Sequence, residues 1–344
     1  MTDFYTVGLE ERAQRMEQLA LEALKSWGVT DSAPKLIKIR ENAVFRVTLA
    51  DGSDAALRIH RYGYHSDAGL KSELQWMRSV QQDGINVPAI VPTLSGALFI
   101  TAAVDSVPEP RQIDMVEWLP GAPLGSLEEG LSAEVSNNIS QTFTAVGQLV
   151  AQLHNHAATW PKPNGFTRHA WDVDGLTGEE PRWGRFWEFP GLDKSQCELM
   201  KRSRDVARKH LIAIGQPPES YGLIHADFNM DNLLHHNGQV MAIDFDDCGA
   251  GWHLFDLSTL SILFRGTDDF DQIIGAIVDG YRQERPLGDE MLKLMPLFYL
   301  LRAFTYVGWV HTRSETHAAQ EIAAEVVTVA CDLAEEYLQA RGAA

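Results

Sequence analysis

The spacing of hydrophobic residues changes along the chain, from a helical period to alternation and back. In the first third, apolar residues recur at three- and four-residue intervals in two segments and alternate with polar residues in four others. Gly28 ends the first periodic run, and Asp51-Gly52 between two alternating runs is typical of a hairpin turn. The pattern predicts helices over 9–27 and 70–84 and strands over 35–50, 54–61, 87–104 and 111–119.

The pattern of hydrophobic and polar residues changes at "EWLPGAPLG", where proline and glycine interrupt the alternation. Helical periodicity dominates afterwards, and three or four helices are expected beyond residue 248. We therefore expect two lobes, 1–116 and 117–344, with a hinge at about 114–122. Further helices are predicted over 136–157, 196–215 and 321–342, and a folded insertion containing four tryptophans over 155–195.

The composition narrows the class of protein. The chain has 344 residues, 45% of them hydrophobic, which is enough to bury the cores of two lobes. Its net charge of −18 argues against a protein that grips nucleic-acid phosphates and leaves room for a cationic substrate. The three cysteines show no C-x-x-C spacing, no signal-peptide pattern opens the chain, and Arg302 interrupts its most apolar late run. We expect a soluble cytoplasmic protein, monomer or homodimer, without nucleic-acid or membrane partners.

Polar residues are unusually dense in "LIHADFNMDNLLHHNGQVMAIDFDD". Asn237-Gly238 in its second half suits a type I′ turn, so the flanking residues should pair as an antiparallel hairpin. Such a turn sets Asn232 opposite Ile243 and brings Asn232 and Asp244 to the open end of the hairpin. An amide oxygen beside a carboxylate is a hard donor pair suited to Mg²⁺.

The order His-x-Asp-x-x-x-x-Asn, followed by a strand that ends in Asp-Phe, resembles the catalytic loop and metal-binding Asp of protein-kinase-like enzymes. "LIHADFNMDN", "AIDFDD" and "FDLSTL" resemble the motifs of the aminoglycoside phosphotransferase and choline kinase branch. "RENAVFRV" and "ALRIHR" resemble the subgroup of type II homoserine kinases and a bacterial stress-response Ser/Thr kinase. The resemblance implies an α+β bilobal protein-kinase-like fold. Its N-lobe would be a small antiparallel sheet with one inserted helix, and its larger C-lobe mostly helical.

The resemblance also implies roles for individual residues. Asp227 would be the catalytic base that orients the acceptor hydroxyl and takes its proton. Asn232 and Asp244 would bind Mg²⁺, with ATP, or alternatively GTP, lying between the lobes. His225 is expected to hold the backbone of the loop. The alternatives are a turn cap for Asp227, a helix or turn cap for Asn232 and a strand-end carboxylate for Asp244.

Three further aspartates have less defined roles. Asp246 and Asp247 could contact a second metal ion or the substrate, or cap the next segment. Asp256 is expected to be a helix N-cap or a support for the catalytic loop. At the predicted hinge, the backbones of Glu117 and Leu119 would bond to adenine.

The N-lobe departs from the protein-kinase pattern because it has no G-x-G-x-x-G loop. Glu41, Asn42 and Ala43 are expected to make the phosphate-side turn instead. Arg58 takes the position of the phosphate-binding lysine, and Glu73 in the following helix is placed to pair with it. The alternative for Arg58 and Glu73 is an exposed pair that contributes about 0–1 kcal/mol.

These residues predict an ATP- and Mg²⁺-dependent phosphotransferase with a hydroxyl acceptor. The acceptor could be an amino alcohol, homoserine, an aminoglycoside or a protein Ser/Thr. A regulatory nucleotide-binding protein with little catalysis is one alternative. A metal-dependent hydrolase is another, which would use His225, Asp227, His235, His236 and Asp244. Near the acceptor we expect the 295–313 helix and a set of tryptophans that either bind a cation or pack the insertion: Trp171, Trp183 and Trp187.

Overall fold

The computed structural model describes residues 4–39, 42–126 and 129–342. The chain divides into two compact units. Unit 1 comprises Met1–Gly121 and Lys162–Thr167, and unit 2 comprises Ala122–Pro161 and Arg168–Ala344. A short piece of the predicted insertion therefore belongs to unit 1.

Unit 1 is built on a five-stranded antiparallel sheet. The segment predicted as one strand over 35–50 contains two strands, Lys35–Ile39 and Ala43–Thr48, that pair with each other, and Gly52, with φ 85°, lies in the turn that follows them. The strands are β1 (Lys35–Ile39), β2 (Ala43–Thr48), β3 (Asp54–Ile59), β4 (Phe99–Ala102) and β5 (Arg111–Glu117). Their order across the sheet is β1-β2-β3-β5-β4. The helices are α1 (Leu9–Leu24) and α2 (Asp67–Gln82), with a 3-10 turn at Lys25–Trp27.

The core of unit 1 forms where α1 covers one face of the sheet. The periodic apolar residues of α1, among them Leu19 and Ala23, are buried in one cluster with Phe45 of β2 and Leu57 of β3. Gly28, with φ 70°, ends the helical segment as predicted, because a left-handed residue without a Cβ stops a helix without strain.

Unit 2 is mostly helical. Five helices follow residue 248 in the described residues, one of them only four residues long, where three or four were expected. The helices are α3 (Ala133–Ser136), α4 (Ile139–Thr159), α5 (Val173–Thr177), α6 (Lys194–Ile214), α7 (His253–Ile262), α8 (Phe270–Glu284), α9 (Asp289–Leu292), α10 (Met295–Thr312) and α11 (His317–Gln339). Among the described residues, no helix combines the length and apolar character needed to cross a membrane.

Short strands connect these helices. They are β6 (Ala122–Pro123), β7 (Gly125–Ser126), β8 (Gly130–Leu131), β9 (Ala170–Trp171), β10 (Tyr221–Ile224), β11 (Leu233–His236), β12 (Gln239–Ala242) and β13 (Gly249–Trp252). 3-10 turns lie at Phe186–Glu188 and Met230–Asn232.

The predicted hairpin is confirmed in its register. β11 pairs with β12, with Leu233 opposite Ala242. Asn237 has φ 49° and Gly238 φ 77°, the two positive values that a type I′ turn requires. One step beyond the strands, Ile243 N donates to Asn232 O at 2.9 Å, so the predicted pairing continues to the open end of the hairpin.

Helices α4 and α8 approach each other closely because glycines remove side chains from their contact. A Cβ on Gly147 would lie 2.1 Å from Ile277 O, and one on Gly280 would lie 2.0 Å from Thr144 O. Because of this close approach, His154, about two turns further along α4 than Gly147, reaches Tyr281 of α8.

Candidate active site

The loop between β10 and β11 is held through its backbone by one buried carboxylate. Asp256, in the first turn of α7, accepts the N–H groups of His225 at 3.0 Å and of Ala226 at 2.7 Å. Ala226 has φ 68°, a conformation unfavourable for alanine that these two bonds help to maintain. The N-cap position of α7 is Trp252, so Asp256 bonds to the loop and does not cap the helix.

Asp256 is in turn bonded to a buried histidine of α4. His154 Nε2 lies 3.0 Å from Asp256 Oδ2, and His154 Nδ1 lies 2.9 Å from the hydroxyl of Tyr281. His253 stacks on the His154 ring at 4.2 Å. Burial raises the pKa of Asp256 to about 6 and lowers the pKa of His154 to about 3. His154 is therefore neutral at pH 7, with Nε2–H donating to Asp256 and Nδ1 accepting from Tyr281.

His225 fixes the loop from the other side. Its ring stacks on Phe228 at 4.1 Å, and its Nε2 lies 3.0 Å from Ile243 O, at the end of the hairpin. Its Nδ1 accepts the N–H of Asp227 at 3.3 Å. The histidine thus ties the loop to the segment that carries Asp244.

Both carboxylate oxygens of Asp227 have hydrogen-bond donors. Oδ1 accepts from Arg302 Nη2 at 2.6 Å. Oδ2 accepts from the side-chain amides of Asn229 at 3.1 Å and Asn232 at 3.0 Å. The side chain keeps 21% of its surface exposed, so it is oriented by three donors yet still accessible to solvent.

Arg302 was not among the residues expected at this site. It is fully buried in α10 and also donates to Ala226 O at 3.0 Å. Aromatic rings surround its guanidinium, with Tyr306 at 4.2 Å and Trp183 at 5.0 Å. The available signal was the single charge inside "MPLFYLLRAFTYVGWV", because a buried arginine needs a paired acceptor.

Asn232 and Asp244 lie at the open end of the hairpin, where the register predicts them. Asn232 is 3% exposed and its Nδ2 also donates to Asp227 O at 2.9 Å, so its amide oxygen is the atom left to accept a bond or bind a metal. Asp244 has φ 65°, a left-handed conformation that costs about 1–3 kcal/mol and is typical of functional sites. An amide oxygen and a carboxylate fit Mg²⁺, a hard cation.

The tryptophan-rich insertion holds the segment that follows Asp244. Arg168 Nη2 donates to Asp246 O at 2.5 Å, and Trp171 Nε1 donates to Asp247 O at 2.9 Å. Trp183 Nε1 donates to the Asp247 carboxylate at 3.2 Å. The three tryptophans expected near the acceptor are all buried: Trp171, Trp183 and Trp187. They pack the insertion, which was the second of the two expectations for them.

The two strand histidines are not part of this arrangement. His235 pairs with Glu134 at 3.3 Å, and His236, on the opposite face, is exposed. In the parts of the chain that the structure describes, no cluster of metal-ligating side chains includes His225, His235 or His236. The geometry gives no support to the hydrolase alternative.

In unit 1, Arg58 pairs with Glu73 at 3.1 Å, as expected, but the pair is buried, and the alternative of an exposed pair is wrong. A second carboxylate was missed. Asp114, opposite Arg58 in the sheet, accepts from Arg58 Nε at 2.8 Å and Nη2 at 2.9 Å. His60 Nε2 lies 2.6 Å from Asp114 Oδ2. The signal in the sequence was the single aspartate inside the strand "RQIDMVE".

The remaining candidates of unit 1 lie in turns and at a strand end. Asn42 Oδ1 accepts the N–H of Arg61 at 3.0 Å, which ties the residue before β2 to the segment that follows β3. Glu41 lies outside the described residues. Glu117 ends β5, where its N–H donates to Ala89 O at 2.8 Å, and Leu119 lies two residues further, half-buried.

The chain belongs to the phosphotransferase enzyme family, whose model matches residues 35–292. Its relatives and structural neighbours include kinases of small molecules, and this protein is a phosphotransferase with a hydroxyl acceptor. The expected α+β protein-kinase-like fold is confirmed by the antiparallel sheet of unit 1, the helical unit 2 and the structural neighbours.

Three relatives illustrate the similarity. The structure of a microcompartment-associated aminopropanol kinase is 29% identical, with a TM-score of 0.82, over 95% of this chain and 99% of that one. The amicoumacin kinase of Bacillus subtilis (strain 168) is 23% identical over 86% of this chain and 84% of that protein. The amicoumacin kinase hAmiN, solved with AMP-PNP, Ca²⁺ and Ami, is 22% identical, with a TM-score of 0.73, over 94% and 96% of the two chains.

Proposed function

We propose that this protein transfers the γ-phosphoryl group of ATP, with Mg²⁺, to the hydroxyl of a small amino alcohol. The observation that carries the proposal is the arrangement around Asp227. Its carboxylate is held by Arg302 and by two amides, one of which belongs to the proposed metal ligand Asn232. Such an oriented carboxylate beside a hard-cation site suits phosphoryl transfer, where positioning and charge supply most of the catalysis.

In the proposed mechanism, Asp227 binds the acceptor hydroxyl through Oδ1. Each carboxylate oxygen can accept about two hydrogen bonds in its plane. Oδ2 already accepts two, from Asn229 and Asn232, whereas Oδ1 accepts one, from Arg302. The acceptor O–H would donate to Oδ1, its oxygen would attack the γ-phosphorus, and its proton would pass to Asp227 as the bond to ADP breaks. Mg²⁺, held by Asn232 and Asp244, would neutralise charge on the phosphates.

An amine on the acceptor is favoured by the carboxylate of Asp247. The Asp247 carboxylate accepts the N–H of Trp183. The ring of Trp183 also faces the guanidinium of Arg302, which bonds to Asp227. The Asp247 carboxylate could therefore bind an ammonium group of the acceptor while the hydroxyl of the acceptor contacts Asp227. The similarity to an aminopropanol kinase supports the same acceptor class over homoserine, aminoglycosides or protein serine.

The test is ADP release with Mg²⁺ and ATP, or GTP in parallel, over a panel of acceptors. The panel contains 1-amino-2-propanol, ethanolamine, choline, homoserine, kanamycin and casein. We expect turnover with primary amino alcohols, and none with Asp227→Ala even though that variant still binds Mg-AMP-PNP in calorimetry. Glu134→Ala, in α3 where the side chain pairs with His235 of the hairpin, should keep wild-type turnover. Activity in Asp227→Ala, or turnover restricted to casein, would contradict the proposal.

A regulatory nucleotide-binding protein is the second candidate. It is favoured by one observation, that Arg58 is engaged by two carboxylates at the position of the phosphate-binding lysine. Binding of Mg-AMP-PNP together with the absence of ADP release across the whole panel would select this candidate over the kinase.

A further inference from the structure

Asn229 lies in the sequence between the proposed base and the proposed metal ligand, at a position that the order His-x-Asp-x-x-x-x-Asn leaves unspecified. It is half-buried and is the N-cap residue of the 3-10 turn Met230–Asn232. Its amide makes two hydrogen bonds. Nδ2 donates to Asp227 Oδ2 at 3.1 Å, and Oδ1 accepts the N–H of Asn232 at 3.0 Å. One side chain therefore contacts both the proposed base and the proposed metal ligand.

The two partners fix the direction in which the Asn229 amide points. An ionised carboxylate only accepts, so the amide nitrogen must face Asp227, and a backbone N–H only donates, so the amide oxygen must face Asn232. Two backbone bonds close the same loop, from Asn229 N to Asp227 O at 2.9 Å and from Asn232 N to Asn229 O at 3.2 Å. The reversed amide would lose both side-chain bonds and place an oxygen against the carboxylate.

These contacts set the position of the Asn232 amide oxygen. Asn232 Nδ2 donates to Asp227 O at 2.9 Å and to Asp227 Oδ2 at 3.0 Å, which holds the side chain, while Asn229 holds the backbone N–H. Asp227 Oδ2 accepts from both amides, so the base and the metal ligand are joined through one atom. Groups that orient a metal ligand in this way affect metal affinity or activity although they do not touch the metal.

We propose that Asn229 is a positioning residue that keeps the carboxylate of Asp227 and the amide oxygen of Asn232 at one fixed spacing. Asn232 would set the place of the metal-bound phosphates and Asp227 that of the attacking hydroxyl. A relative displacement of about 1 Å between such groups can cost about 100-fold in rate. The inference rests on the proposed function, and Asn229 acts through its two neighbours without contacting the reacting groups.

The experiment separates the two ends of the amide by substitution. Asn229→Ser keeps an oxygen that can accept the Asn232 N–H as an N-cap, but this single oxygen cannot also take the place of the amide nitrogen at Asp227. Asn229→Asp keeps the shape and the N-cap acceptor and has no donor for Asp227. Asn229→Ala removes both contacts. Each variant is measured for Tm, for kcat and the KM of ATP, and for the Kd of Mn²⁺ in the presence of AMP-PNP by electron paramagnetic resonance, since Mn²⁺ takes the same oxygen ligands as Mg²⁺.

We expect kcat to fall about 10- to 100-fold in Asn229→Ser and Asn229→Asp, with the KM of ATP unchanged. Asn229→Ser should keep the wild-type Tm and the wild-type Kd of Mn²⁺, because the N-cap is retained. Asn229→Ala should lose as much in kcat, bind Mn²⁺ about 10-fold more weakly and unfold at a lower temperature. A merely structural role would lower kcat and Tm in step in all three variants. That result, or wild-type kcat in Asn229→Asp, would overturn the proposal.

Asn138→Ser is the matched control. Asn138 is exposed at the start of α4, where its Nδ2 donates to Glu134 O at 2.9 Å, so the substitution removes an amide donor away from the loop. It should leave kcat and the Kd of Mn²⁺ unchanged. If the wild-type protein releases no ADP with any acceptor, the proposed function fails and the inference fails with it. If the wild type is active and Asn229→Asp is equally active, the positioning role alone fails.

Discussion

Replacing the proposed base should destabilise the protein as well as inactivate it, because Asp227 is the partner of a buried charge. Arg302 is fully buried, and Asp227 is the carboxylate that pairs with it in the described residues. Asp227→Ala would leave the guanidinium with the carbonyl of Ala226 and the surrounding rings, but without a counter-charge.

The size of the effect follows from burial. Breaking a buried ion pair by removing one partner costs about 3–5 kcal/mol. Asp227 retains 21% of its side-chain surface, so water can reach this end of the pair and the cost should fall at the lower limit, about 3 kcal/mol. For a unit of this size, that is a decrease in Tm of about 6–12 °C. Asp227→Asn, which keeps an oxygen for Arg302, should lose about half as much.

The assay is urea unfolding followed by tryptophan fluorescence on wild type, Asp227→Ala, Arg302→Met and the double variant. Because Arg302→Met removes the uncompensated charge, the double variant should be more stable than Asp227→Ala alone, and the two single effects should not add. A wild-type midpoint for Asp227→Ala, or strictly additive losses, would refute the reasoning that Arg302 depends on this carboxylate.

Three further expectations follow from other parts of unit 2. Gly238→Val forces a β-branched side chain into φ 77°, so we expect a lower Tm and reduced ADP release as the hairpin end moves. His154→Gln should make the protein more resistant to acid. The pKa of His154 is about 3 when folded and 6.5 when unfolded, so its stabilisation is present above pH 6.5 and is lost by up to about 1.4 kcal/mol per pH unit toward pH 3. Asp256 has the opposite effect: because its pKa is raised from 3.8 to about 6, it increasingly stabilises the folded protein as the pH falls from 6 to 3.8. His154→Gln leaves this contribution of Asp256 to stability in place. Trp183→Phe removes the N–H bonded to Asp247 and should raise the acceptor KM with little change in the KM for ATP.

A control variant or a contradicting result can be named for each of the three predictions. Gly266, also at positive φ (84°) but outside the hairpin, provides a matched Gly→Val variant that should keep its activity. Parallel stability–pH curves for wild type and His154→Gln between pH 6.5 and 4 would contradict the assignment of a neutral buried histidine. A proportional rise of both KM values in Trp183→Phe would point to a general packing defect instead of a role toward the acceptor.

The hairpin was the part of the site most accessible to prediction from the sequence. Asn237-Gly238 sets the turn type, the turn type sets the register, and the register sets Asn232 opposite Ile243. The pairing of Arg58 with Glu73 could also be expected, whereas its burial could not. Burial depends on which elements cover a pair, and local patterns carry little information about that.

The sequence by itself determined the features that depend on neighbouring residues: helix periods, the stop at Gly28, and the turn whose register sets Asn232 opposite Ile243. The tertiary structure alone decided which distant groups complete the Asp227 cluster of unit 2 and, separately, the Arg58 cluster of unit 1. Arg302 reaches Asp227 from 75 residues away and Asp114 reaches Arg58 across 56. Local spacing carries no record of such contacts, because they form only when separate helices and strands pack and leave a buried charge that must find its partner.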